Sequence, residues 1–182
     1  MKKVTSFLAK VAVVSLISTP SFAHTGHAMN ASFSEGFLHP LTGLDHLAAL
    51  MLIGVFAAGY GYKKAAQIIG CFGAALIAGF FIGVEWSSAH QAEGLVTASL
   101  IILPLAVYAL RKGGVMKWVA MLGIAAFSAC HGLVQGAEAI GAVSEFGLGS
   151  LVASIVVMSV TMLAASTLKR RLADGNTAKS NA

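Results

Sequence analysis

Six histidines punctuate this chain, at positions 24, 27, 39, 46, 90 and 131, and acids lie near several of them. The densest run is His39-Pro40-Leu41-Thr42-Gly43-Leu44-Asp45-His46. A second is Cys130-His131-Gly132-Leu133-Val134-Gln135-Gly136-Ala137-Glu138, where His131, Gln135 and Glu138 fall at i, i+4 and i+7 and share one stripe of a helix. Imidazole, amide and carboxylate together suit a borderline divalent cation. His46 sits among Leu47-Ala48-Ala49-Leu50, so its polar ring needs a partner or a purpose.

Distance limits what the first run can do. On one continuous helix, His39 and His46 would lie about 10.5 Å apart along the axis. A single metal ion holds its His nitrogens at about 2.1 Å. A shared ion therefore requires a break between them. Pro40 disfavours helical geometry at His39, and Gly43 weakens the following turn. Broken helices recur at transporter substrate sites. A plainer role exists as well: Thr42-x-x-Asp45 fits a capping box, with Asp45 satisfying backbone N–H groups at a helix start.

The elements that must position these groups are apolar. Hydrophobic residues make up 57% of the 182 and charged residues 10%, which excludes an ordinary soluble domain and a disordered chain. Five runs, 44–60, 65–83, 94–110, 116–134 and 147–168, are long enough for transmembrane helices. The fold class expected is an all-α polytopic bundle of five such helices over 35–172. Barrel-type alternation is absent. Lys63, Lys64, Arg111, Lys112, Lys117, Lys169, Arg170 and Arg171 flank one set of ends, and Glu85, Glu93, Glu138 and Glu145 the other. The positive-inside rule makes the basic ends cytoplasmic and the N-terminus periplasmic.

The start of the chain agrees with that orientation. Lys2, Lys3 and Lys10, the apolar Val11–Ile17 and a small-x-small end at Ser21 and Ala23 read as a cleavable signal peptide over 1–23. Its removal takes most of the net charge of +5 with it. No Arg/Lys cluster interleaved with aromatics remains, so nucleic acid is excluded as a partner. Residues 24–34 form a His-containing periplasmic segment. There the His24 amine and ring could chelate one ion, with His27 and Met29 adding ligands. Residues 173–182 read as a disordered cytoplasmic tail.

On this topology every histidine lies outside the membrane or in its outer half. The first and third helices point their N-termini, with partial positive charge, at that side. A cation site there needs carboxylates, and Asp45, Glu93 and Glu138 supply them. The site expected lies between the first, third and fourth helices. Cys71 and Cys130 fall at opposite depths and should not pair. Gly70, Gly73, Gly79 and Gly83 read as a close-packing stripe, as do Gly132 and Gly136. Tyr60, Trp86 and Trp118 suit interfacial anchors.

The run HPLTGLDHLAALMLIG, His39 to Gly54, resembles the signature of the HupE/UreJ family of nickel/cobalt permeases. The leader, the His-rich mature start, the acid opening the third helix, the His-Gly of the fourth and the Glu beyond extend the likeness. The resemblance implies a multi-pass protein of the bacterial inner membrane that takes up nickel, or cobalt, for hydrogenase or urease maturation, whose machinery is then an indirect partner. By that resemblance His39, Asp45, His46, Glu93, His131 and Glu138 form the metal site. Many members look to have a second His where this chain has Gln135, and an amide oxygen is the weaker ligand, which bears on nickel against cobalt. The expected protein is not an enzyme and has no prosthetic group; Ni2+ or Co2+ is its cargo and the lipid bilayer its surroundings. The competing readings are an intramembrane metal-dependent hydrolase, a b-type haem protein using His46 and His131, and a packing protein with incidental histidines. Metal preference, energy coupling, the inward path and homo-oligomerisation stay open.

Overall fold

The computed structural model describes residues 32–86, 91 and 93–180, and the side chains of 32–86, 91 and 94–174. The leader over 1–23, most of the 24–34 segment with His24 and His27, and His90 lie outside them. The described elements are six α-helices: α1 (Phe33–Thr42), α2 (Leu44–Ala57), α3 (Tyr62–Glu85), α4 (Glu93–Ala109), α5 (Gly114–Glu138) and α6 (Val143–Ser180).

The core is apolar, built on residues such as Ile53, Phe72, Leu76, Leu103 and Met158, but it encloses several polar groups, and the rim is apolar too. Phe81, Ile82, Leu122 and Val160 are exposed, while His46, Ser99, Ser128, His131, Gln135, Ser150 and Ser154 are buried. Such a belt of exposed apolar side chains marks a surface made for lipid. Three helices, Tyr62–Glu85, Gly114–Glu138 and Val143–Asp174, are long and apolar enough to cross a membrane, and α1 with α2 adds a fourth crossing if the bent pair is one span. The shorter Gly94–Ala109 is the remaining apolar helix. The polar segment expected as a tail continues α6 as helix to Ser180.

Without a strong hydrophobic drive between helices, packing in lipid depends on how closely backbones approach. A Cβ on Gly79 or Gly83 of α3 would fall on the carbonyl oxygen of Ala129 or Leu133 in α5. Reciprocally, one on Gly132 or Gly136 would fall on that of Leu76 or Phe80. This parallel pair is locked at its C-terminal halves. Gly54 meets α6 at the Met158 carbonyl, and Gly36 of α1 meets the carbonyl of Phe146 at the start of α6. The expected stripe on α3 does not act as one face: Gly73 meets Leu151 and Ile155 side chains, and Gly70 meets nothing. Cys71 and Cys130 are both free.

Helix α4 links the two ends of the bundle. Near its start Ser99 touches His131, and near its end Val107 accepts a hydrogen bond from the Tyr60 hydroxyl at 2.5 Å. At that second end Lys64 and Arg111 lie over the Tyr60 ring, 4.6 and 5.2 Å from its centre. The histidines and the basic loops therefore occupy opposite ends.

Candidate functional site

The site is built on an elbow. Helix α1 opens with a side-chain N-cap: the Ser32 hydroxyl accepts from the Glu35 N–H at 3.3 Å and donates to Glu35 Oε2 at 3.2 Å. It ends at Thr42, whose hydroxyl turns back to the carbonyls of Leu38 and His39, both at 3.2 Å. Gly43 is extended (φ −76°, ψ 107°), and α2 leaves at 79° to α1. The break needed between His39 and His46 is present at Gly43, one of the two residues expected to allow it. His39 and Pro40 stay inside α1, contrary to the expectation that Pro40 would open the helix at His39. The capping box expected at Thr42 does not form; α2 has no side-chain N-cap, and Asp45 accepts from the His46 backbone N–H at 2.8 Å.

The elbow folds the last turn of α1 over the first turn of α2. The His39 and His46 rings meet edge to face with centroids 5.4 Å apart. His46 in turn meets His131 of α5 edge to face at 4.8 Å. Phe146 and Phe72 close the two ends of this row of rings, at 5.5 Å from His39 and 6.2 Å from His131. His46 and His131 are each 1% exposed, so both rings are inside protein.

The hydrogen bonds assign the proton on each inner ring. Asp45 Oδ1 lies 3.1 Å from His46 Nδ1. A carboxylate accepts, so Nδ1 carries the proton and Nε2 the lone pair. The Ser99 hydroxyl donates its one proton to the Val96 carbonyl at 2.5 Å, so its oxygen accepts from His131 Nε2, 2.7 Å away. In a neutral His131 the lone pair is then on Nδ1. A carboxylate that fixes a ring's tautomer in this way is a usual outer partner of a metal-binding histidine, and the Ser99 hydroxyl takes the corresponding place at His131. The result is two buried, neighbouring imidazoles from two helices, each with one nitrogen engaged by a helper and a lone pair on the other.

The remaining expected residues fall around this pair unevenly. Glu138, the last residue of α5, lies 3.6 Å from His39 Nε2 and joins α5 to α1. Helix α5 persists through Gly136, so His131, Gln135 and Glu138 do form one stripe. They engage different neighbours, however. Gln135 turns to α6, where its Oε1 accepts from Ser150 at 2.5 Å. Glu93 is placed as the first residue of α4, and its side chain lies outside those described. Among the described residues no three His, Cys, Asp or Glu side chains converge closely enough to hold one ion. Ser99 and Ser150 were not anticipated. A hydroxyl at membrane depth must find a partner, but Thr97 shares the run of Ser99, and Ser154, Ser159, Thr161, Ser166 and Thr167 share that of Ser150, so the pattern singles out neither.

Fold and site together define a multi-pass helical membrane protein with a buried, hydrogen-bonded histidine pair at one end. The chain belongs to the HupE / UreJ protein family, whose model matches residues 11–180. It is similar to Protein HupE of Rhizobium leguminosarum bv. viciae, 28% identical over 137 residues, which is 75% of this chain and 68% of the relative. No solved structure matches it.

Proposed function

We propose that this protein is a permease for a divalent transition metal, nickel foremost and cobalt second, carrying the ion from periplasm to cytoplasm across the bacterial inner membrane. The observation that carries the reading is the meeting of His46 and His131, 4.8 Å apart and drawn from two helices. One nitrogen of each is occupied by a helper, Asp45 or Ser99. A packing histidine needs only a partner, whereas two buried neighbouring rings from different helices, each with one nitrogen already engaged, leave two lone pairs close together for a cation. Family membership supports the same reading.

In this reading His39 and Glu138 form the outer mouth, His46 and His131 the inner ligands, and Asp45 the group that orients His46 and offsets the unfavourable dipole of α2. Glu93 and Gln135 complete the set, and His24 and His27 capture the ion in the periplasm. The incoming ion exchanges part of its water shell for these groups. The bent α1–α2 pair is one crossing and α4, which joins the two ends, another, giving five. The leader is cleaved, no prosthetic group takes part, and the protein serves nickel-enzyme maturation without being an enzyme itself.

The test is accumulation of radioactive nickel and cobalt by cells carrying the native chain or His46→Ala. The variant should lose uptake while reaching the membrane in equal amount. Equal uptake by both would remove the motif from transport.

A further inference from the structure

At the basic end, α3 and α5 part. Their glycine-locked halves lie near the histidines, and between their N-terminal halves a cleft of about 360 Å³ opens, lined by Lys64, Gln67, Ile68, Cys71, Leu110, Lys117, Met121 and Ile124. We propose that this cleft binds an anionic phospholipid, with its phosphate between Lys64 and Lys117 and the upper acyl chain against Ile68, Leu110, Met121 and Ile124.

Charge argues for the anion. The two lysines come from different helices and line one space. Each is steadied by an aromatic ring, Lys64 over Tyr60 at 4.6 Å and Lys117 over Trp118 at 5.8 Å. A ring holds an ammonium without neutralising it. Among the described residues no carboxylate pairs with either lysine. Both α3 and α5 also begin here, and their N-terminal partial charges add to the positive field. The same field disqualifies the cleft as a station for a divalent cation, despite the sulfurs of Cys71 and Met121.

Shape argues for a lipid over a free anion. The volume is at the lower end of the roughly 300–1,000 Å³ of small-molecule sites, enough for a headgroup and the first methylenes. The wall below the lysines is largely apolar, formed by Ile68, Leu110, Met121 and Ile124. Trp118, 63% exposed, stands where an interfacial indole would mark headgroup depth. Basic pockets between membrane helices bind acidic headgroups for these reasons.

The experiment uses the purified full chain and two readouts. In native mass spectrometry, phosphatidylglycerol should be retained in preference to phosphatidylethanolamine. The double variant Lys64→Gln/Lys117→Gln should bind it about 30-fold more weakly. Lys63→Gln/Lys112→Gln, which removes two lysines of the same end outside the cleft, should stay within about threefold of the native chain. The second readout needs no substitution: phosphatidylglycerol should slow maleimide labelling of Cys71 severalfold, and neither phosphatidylethanolamine nor inorganic phosphate should. Equal losses in the two double variants would replace the site with diffuse surface charge. Equal protection of Cys71 by inorganic phosphate would make the occupant a free anion, and no protection by phosphatidylglycerol would empty the cleft. Each of these overturns the proposal, and none touches the histidine site at the far end.

Discussion

The two ends of the bundle handle polarity in opposite ways. At the histidine end, polar groups are inside: His46, His131, Gln135, Ser99 and Ser150 are buried, with Ser99–His131 and Ser150–Gln135 bonded across helices and His46 bonded to Asp45 beside it. At the basic end, charges are outside, laid over the rings of Tyr60, Tyr62, Tyr108 and Trp118. Backbone approach separates the ends in the same sense. Glycines bring α3 and α5 into carbonyl contact near the histidines, and the helices diverge toward the lysines. A buried polar network must be held tightly, because a misplaced partner leaves a group unsatisfied in a low-dielectric interior. Solvated charges carry no such demand. Substitutions at the first end should therefore be expensive and specific, and those at the second cheap.

The largest effect should come from the lock itself. In Gly132→Leu the new side chain starts on the Leu76 carbonyl, so the helices must separate. A loss of at least about 3 kcal/mol is expected in reversible unfolding in detergent. The contrast is Gly70→Leu on the same pair of helices, where a Cβ meets nothing within 4 Å. It should change stability by less than about 0.5 kcal/mol. Similar losses in both would show that the glycines serve helix geometry and not contact.

Next come the helpers of the two rings. Asp45→Ala removes the acceptor at His46 Nδ1 and should weaken nickel binding by about 10–100-fold in calorimetry of the purified chain. Asp45→Asn keeps an acceptor oxygen and should recover part of that loss. Recovery in full would mean that orientation matters and charge does not. Ser99→Ala leaves His131 Nε2 without its acceptor and lets the ring take the other tautomer. A loss of roughly tenfold in affinity is expected, with about 1–3 kcal/mol of stability. Ser99→Thr, which keeps the hydroxyl, should restore both. Restored stability without restored affinity would confine Ser99 to packing.

Much of this contrast could be read in the chain before its fold. Charge segregation gave the two ends, and the seven-residue reach from His39 to His46 demanded a break. The position of the break was less legible. The residue before a proline only prefers to leave a helix, and at His39 the preference yields because α1 is held on α6 where Gly36 meets the Phe146 backbone. Gly43 takes the turn instead, with its N–H returned to the His39 carbonyl at 3.1 Å. Ser99 was hidden for a different reason: its partner is 32 residues away. Local spacing has no access to such a pair. The glycines of α3 show the same limit, since a run of four small residues does not state which neighbour each one meets.

The smallest effects should fall at the basic end, and two tyrosines there can grade burial alone. The Tyr60 hydroxyl donates to the Val107 carbonyl at 2.5 Å and ties the end of α2 to α4. The Tyr62 hydroxyl accepts from Arg170 at 3.1 Å, at the surface. Each Tyr→Phe change removes one oxygen and leaves the ring that holds a cation. Tyr60→Phe strands a carbonyl of α4 in a partly buried position and should cost about 1 kcal/mol. Tyr62, 56% exposed, has water ready to replace its hydroxyl, so Tyr62→Phe should fall within about 0.5 kcal/mol of the native chain. Neither should alter nickel affinity. If Tyr60→Phe did alter it, the ends would be coupled through α4, the helix that touches both, and the separation argued from their packing would fail.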